Sequence, residues 1–434
     1  MILFLGMVLL ITLPANISAD TMTIYASAGN LDAIIGADTL AGGAQAHDTY
    51  QLVSLDTTYK FAGTITVKGD ITVTGVVDAT TLRPPTIQPA VLQDGSIPGT
   101  MFVLTGSGSN CTFQNLYLLS NATNNTANGG GIAMEVKGDS TRLTVDNCVF
   151  DGWQTFAIGY NGQWDSFFIS NSHFRNMVHP NQWYIGEVIR NTWPGEAYTD
   201  TMSFTGNVML AVNGYAAAPV TKWYTKYFQF DNNRVLYTFK NPFFIFNMTE
   251  GTINNNVFYG NYSGGVDQTE NPWWDNLWFG DTTYGVIALQ PLSPDNAGMF
   301  NPSDTLAAEG LRDIEVKDNT YYWPSAVTSF WSNYNDTATN WIRTPGWMNE
   351  RTVAMFADDS TYPYLVESGN MNSYPNHMAM IDADLLYGTS GNDIGFFDYF
   401  LQIRGGTAAT DVWGYGYTEV DTTAADWTPT WPLP

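Results

Sequence analysis

The chain has 434 residues, enough for a large core, and only 13% of them are charged, about half the usual share. Forty-one acidic residues against 16 basic ones leave a net charge of −25, which opposes binding to nucleic acid or anionic membranes and disfavours polyanions unless cations bridge the two. Two cysteines are too few for a disulfide scaffold.

Residues 1–19 read as a signal peptide, with an apolar run from Ile2 to Leu13 and a small-residue ending at Ile17-Ser18-Ala19. No later stretch is apolar for long enough to span a bilayer. The mature chain is therefore expected to be secreted or at the cell surface, with no membrane span. Residues 20–100 read as an N-terminal cap with the first rungs of a repeat. A short helix is expected at Leu31–Ile35, and strands at Tyr50–Val53, Tyr59–Phe61, Gly63–Val67 and Asp70–Gly75, where polar and β-branched residues alternate. The Pro-rich stretch Arg83–Gly99 reads as a loop.

From 101 to 266 the sequence is periodic. Val145-Asp146-Asn147-Cys148-Val149-Phe150 has counterparts starting at Phe113, Ile169, Phe204, Phe230, Ile253 and, late, Val316, at intervals of 32, 24, 35, 26, 23 and 63 residues. A period in the twenties with one Asn or Gly turn per unit is the mark of a solenoid, because both residues tolerate positive φ. Each unit holds three short strands, as in Ile132–Val136, Leu143–Asp146 and Val149–Phe150. Strands this short cannot form a sandwich at this spacing. They can stack into a parallel coil in which each bonds to its equivalents in the neighbouring rungs and inward residues form aliphatic and aromatic ladders. Cys111 and Cys148 fall at different places in the unit, so two buried free thiols are expected rather than a bridge.

Residues 267–310 break the pattern with a Trp-rich insertion, and 311–434 hold one further rung at Ile314–Tyr321 followed by an irregular extension. Helices are expected near 349–357 and 393–401. Ten of the fifteen tryptophans lie after residue 267. Packing over the exposed end of the solenoid explains them. Sugar-stacking platforms, Trp273 and Trp274 among them, are the other reading.

These repeats resemble the right-handed parallel β-helix superfamily, the pectate-lyase-like fold. The likeness extends to Tyr59-Lys60-Phe61…Gly63-Thr64-Ile65-Thr66-Val67, to Met355-Phe356-Ala357-Asp358-Asp359, and to Trp431-Pro432-Leu433-Pro434, and points to secreted bacterial members of that fold. It implies an all-β fold, a right-handed parallel β-helix solenoid with an irregular aromatic-rich C-terminal extension, and export. It implies no particular activity. The polygalacturonase-like motifs are missing, since the only Asp-Asp is Asp358-Asp359 and no Gly-His-Gly occurs. Basic residues on the rungs are few for a pectate-lyase-like enzyme.

Outward side chains on the first strand of each rung would share one face, and Glu135, Lys137, Tyr160, Glu187, Arg190 and Asn247 are assigned to it. Rungs stack about 4.8 Å apart, so Glu135 and Glu187, two rungs apart, would be separated by roughly 9.6 Å. That is near the upper end of the ~6.5–9.5 Å used by inverting glycosidases, with Arg190 as uronate anchor or lyase base. Solvated surface charges are the plainer reading. Lys137, Tyr160, Asn247, Trp273 and Trp274 would bind substrate. His173 and His179 read as structural. Asp146, Asp151, Asp165 and Asp231 could supply calcium oxygens, and metal use stays open. The sequence thus points to a protein that engages extracellular polysaccharide, by binding on the first-strand face. A polysaccharide lyase or inverting glycoside hydrolase, and a non-catalytic surface or adhesive protein, are the alternatives.

Overall fold

A computed structural model describes residues 20–55, 57–79, 84–124, 131–177, 185–192, 198–212, 224–238, 242–243, 247–261, 285–289, 292, 309–323 and 346–373. The expected signal peptide, the helix near 393–401, His179, Trp273 and Trp274 lie outside them. The chain forms a right-handed parallel β-helix. Successive coils contribute strands to three parallel sheets, of five, eleven and ten strands.

The five-stranded sheet holds the first strand of each regular rung: Ile65–Val67, Thr100–Leu104, Ile132–Val136, Phe156–Tyr160 and Glu187–Asn191. The eleven-stranded sheet runs from Thr21–Ile24 to Leu365–Ser368 and holds the second strands. The ten-stranded sheet runs from Tyr59–Phe61 to Met371–Asn372 and holds the third. Among the described residues the solenoid therefore runs from Thr21 and continues one coil beyond Ile314–Tyr321, with Leu365 paired to Ile314 and Met371 to Thr320. The Pro-rich stretch is not simply a loop. Thr86–Pro89 is a third-sheet strand between Tyr59–Phe61 and Tyr117–Leu119. Pro89 is tolerated as its last residue, and the next N–H, of Ala90, bonds to Phe61 O at 2.9 Å.

Alternation with a period of two sends one set of side chains inward from each strand. In the second sheet Val73, Phe113, Val145, Ile169, Phe204, Phe230, Ile253 and Val316 stand in register, all buried. In the third, the Phe150 and Phe174 rings stack with centroids 4.7 Å apart. Cys111 and Cys148 are both buried and free. Part of the expected insertion also joins this core: Gly285–Ile287, inside it, pairs with Gly346–Met348 of the C-terminal extension, and Val286, Ile287 and Leu289 are buried with it. Helices occur at Leu31–Ile34 and Glu350–Phe356, the second capped by Asn349, whose side chain accepts from the Thr352 N–H.

The Asn motif resolves into two positions at the turn between second and third sheets. The first takes positive φ, as at Asn115, Asn147, Asn171, Asn232 and Asn255 (φ 48–59°), where Asn is among the few tolerant residues. The second faces inward. From Asn207 onward it is a buried amide ladder, Asn207–Asn233–Asn256–Asn319, continued by Asn370.

Candidate functional site

The first-strand sheet has one outward column, largely covered, in which Glu135 pairs with Val103 and Gly159, and Gly159 with Arg190; the Glu135 and Arg190 side chains are 15% and 14% exposed. Glu135 and Arg190 thus flank a residue without a side chain. A Cβ on Gly159 would lie 2.6 Å from Thr192 Cγ2 and 3.9 Å from Glu135 Cγ, so a larger residue there would require the Thr192 side chain to move. Each charge is held by an opposite one on its own rung. Lys137 Nζ lies 3.0 Å from Glu135 Oε2, and Arg190 NH1 lies 3.2 and 3.3 Å from the two Glu187 oxygens. The Arg190 guanidinium carbon is 5.5 Å from the Phe156 ring centroid.

Three expectations about this face need correction. Glu187 does not oppose Glu135. It pairs with Phe156 and is fully buried against Arg190. Glu187 and Arg190 are three residues apart on one strand, so they start toward opposite faces. Tyr160 is not outward either. It shares its face with Ile158, is 0% exposed, and packs with its ring centroid 5.0 Å from that of Phe167. Asn247 opens the strand Asn247–Asn254 of the second sheet, paired with Tyr224, and so lies off the first-strand face. Lys137 is exposed as expected, at 43%.

His173 lies on the third sheet beside the inward Phe174, as expected. Burial, reinforced by the nearby Arg175 charge, holds its imidazole down at about 4. Next to it is a buried cluster that the repeat pattern did not single out. Tyr117 Oη donates to Asp151 Oδ2 at 2.7 Å, and Arg175 Nε donates to the same oxygen at 2.8 Å. Its only sequence signal is Asp and Arg in register on adjacent third strands, Asp151 opposite Arg175. It is closed off from solvent and ties three coils together.

The aspartates considered for calcium are scattered and engaged by the protein. Asp146 accepts from Ser170 and Asn171, Asp151 from Tyr117 and Arg175, Asp165 from the Thr141 N–H, and Asp231 from Gln229 and Thr252. Among the described residues no three His, Cys, Asp or Glu side chains gather in a metal-holding group.

Two further surfaces offer polar groups. On the outer face of the second sheet Thr21, Thr49, Thr72, Thr112 and Thr144 stand in register, beside a column of Thr23, Gln51, Thr74 and Gln114. None of these nine side chains makes a hydrogen bond within the chain. Farther along, the same face is self-bonded, as in Ser203 Oγ to Gln229 Oε1 at 2.8 Å. The second surface is a cleft of about 540 Å³ at the N-terminal end, between the 3-10 turn Ala26–Ala28 and the third sheet.

No family model matches the chain, and no curated protein matches it. Among solved structures, the crystal structure of the Dettilon tailspike protein is similar over 75% of this chain and 59% of that one, at 10% identity and a TM-score of 0.29. The chain spans 59% of that protein's length. A likeness this distant carries no functional weight, so the reading rests on the surfaces themselves. They present hydroxyls, amides and neutralised ion pairs, groups suited to hydrogen-bonding a polyhydroxylated ligand.

Proposed function

We propose that the protein is exported and binds an extracellular polysaccharide on its first-strand face without cleaving it. The observation that carries this reading is the arrangement about Gly159. Glu135 and Arg190 border a side-chain-free position, and each is neutralised by a neighbour on its own rung, Lys137 and Glu187. Such ion pairs can hydrogen-bond sugar hydroxyls. The pair expected for inverting hydrolysis, Glu135 and Glu187, is poorly suited to its task because one carboxylate is buried against a guanidinium. The unbonded Thr/Gln columns of the second sheet give a longer glycan further neutral contacts.

The test is a glycan array on the full chain, run beside reducing-end and unsaturated-product assays with and without calcium. Binding without product release, weakened by Glu135→Gln and Arg190→Gln, is expected. Absence of any signal on acidic and neutral glycans would remove the carbohydrate reading, and product formation would restore the enzyme alternative. One feature favours a second reading as a rigid spacer. Eleven parallel strands stack in one sheet, a rod of roughly 48 Å at the usual strand spacing. Retention of the protein on cells without glycan binding would support that reading.

A further inference from the structure

The N-terminal cleft lies far along the solenoid from Glu187–Arg190 and belongs to a different sheet. Its floor is the outer face of the third sheet, where Lys60 and Gln88 stand in register, both directed outward between the buried pairs Tyr59/Phe61 and Ile87/Pro89. Ser27, Asn30, Thr57, Thr58 and Thr123 line it as well, and among the described residues no carboxylate does. At about 540 Å³ it falls within the ~300–1,000 Å³ of small-ligand sites.

Two observations give this cleft a chemistry. First, Lys60 differs from the other described lysines. Lys137, Lys226 and Lys317 face carboxylates, and Lys68 donates to Gly42 O at 3.1 Å. Lys60 makes neither an ion pair nor a hydrogen bond. In a chain with net charge −25, an ammonium in a cleft with no carboxylate among its described lining residues is a local positive site set against an acidic field. Second, the side chains of Ser27, Asn30, Thr58, Gln88 and Thr123 also make no hydrogen bond within the chain. The chain itself leaves their donors and acceptors unused.

The geometry points to a binding site for one anionic sugar unit, its acid group on Lys60 and its hydroxyls on the Ser, Thr, Asn and Gln side chains. The acid group is a carboxylate or a sulfate ester, since either offers the oxygens an ammonium accepts. The site rests on the glycan-binding reading and adds to it a charge-selective end pocket, away from the first-strand face.

The test titrates the full chain calorimetrically with three disaccharides that differ only at one exocyclic position, bearing a carboxylate, a sulfate ester or a hydroxyl. At least one anionic form is expected to bind about tenfold tighter than the neutral one, the weight of a single charged hydrogen bond. Lys60→Gln should erase that difference and Lys60→Arg should keep it. Lys60 is exposed and unbonded, so neither change threatens the fold. Which anionic form is preferred identifies the source of the charge. Equal affinity for all three, or selectivity that survives Lys60→Gln, overturns the assignment. A chain that binds polysaccharide but treats the disaccharides alike refutes the cleft alone. A chain whose Lys60 selects the anionic disaccharide but which retains no polymer refutes the first-strand reading alone.

Discussion

Asn233 receives two hydrogen bonds from Asn207 in the preceding coil: its Oδ1 accepts from the Asn207 backbone N–H at 2.9 Å and from Nδ2 at 3.0 Å. Asn233 in turn donates from Nδ2 to Phe204 O at 2.9 Å and from its N–H to Asn256 Oδ1 at 2.7 Å. Every polar atom of this fully buried amide is in use. Asn233→Ala would strand several of these partners, and each buried unpaired group costs ~1–3 kcal/mol. A loss of roughly 2–4 kcal/mol in urea unfolding is expected. The neighbour Asn232 has φ 59° and fills a conformational role only. Asn232→Gly should be near neutral, and Asn232→Ala should cost about 1 kcal/mol. Equal losses for Asn233→Ala and Asn232→Ala would refute the division of labour.

That division shows what the sequence made legible. The recurrence of Asn at a fixed place announced a turn, and Asn115, Asn147 and Asn171 do take positive φ. Whether the following residue points inward was hidden, because Leu116, Cys148 and Ser172 occupy that place before Asn207 does. The solenoid was readable because every rung repeats the same alternation. The site was harder. Its residues sit at strand ends, where a shift of one position changes the face. Glu187 and Tyr160 were misplaced in this way, although each shares its face with an inward isoleucine two residues away, Ile189 and Ile158. The Lys60 cleft left no motif at all. It is assembled from segments as distant as Ser27 and Thr123, joined only by the coiling of the chain.

The inward placement of Tyr160 makes a direct prediction. Its hydroxyl is buried and has no hydrogen-bond partner, and burial, with the Asp165 carboxylate nearby, pushes the phenol well above its usual range. Removing an unpaired buried hydroxyl relieves a desolvation cost of ~1–3 kcal/mol. Tyr160→Phe should therefore leave polysaccharide binding unchanged and raise stability by up to about 1 kcal/mol. A binding defect in this variant would mean that Tyr160 reaches the ligand.

Cys111 and Cys148 are buried, and desolvation pushes both thiols up to about 12. The thiolate is the reactive species, so the native protein should show no fast-reacting thiol to an aromatic disulfide reagent at neutral pH. Both should appear on unfolding in denaturant. One thiol reacting in the native state, or a protein that runs as a disulfide under oxidising conditions, would contradict the placement.

Two buried titratable groups should pull stability in opposite directions across the same acidic window. Burial pushes the Asp165 carboxyl up to about 7, with the Asp139 charge adding to the effect and the Thr141 N–H bond opposing it. Its unfolded value is near 3.8. The folded chain thus keeps a proton that the unfolded chain releases between about pH 4 and 7, so this group's contribution falls as pH rises. His173 behaves in reverse. Its folded value of about 4 lies below the unfolded 6.5, so the unfolded chain takes up a proton the fold refuses, and stability falls as pH drops through that range. The two slopes offset each other in the wild type. Asp165→Asn keeps an oxygen for Thr141 and removes the first slope, so its stability should rise with pH between about pH 4 and 7 by a few kcal/mol at most. His173→Gln should show the opposite tilt. Urea unfolding at closely spaced pH values separates them, and an Asp165→Asn curve parallel to the wild type would mean that Asp165 is ionised throughout in the folded chain.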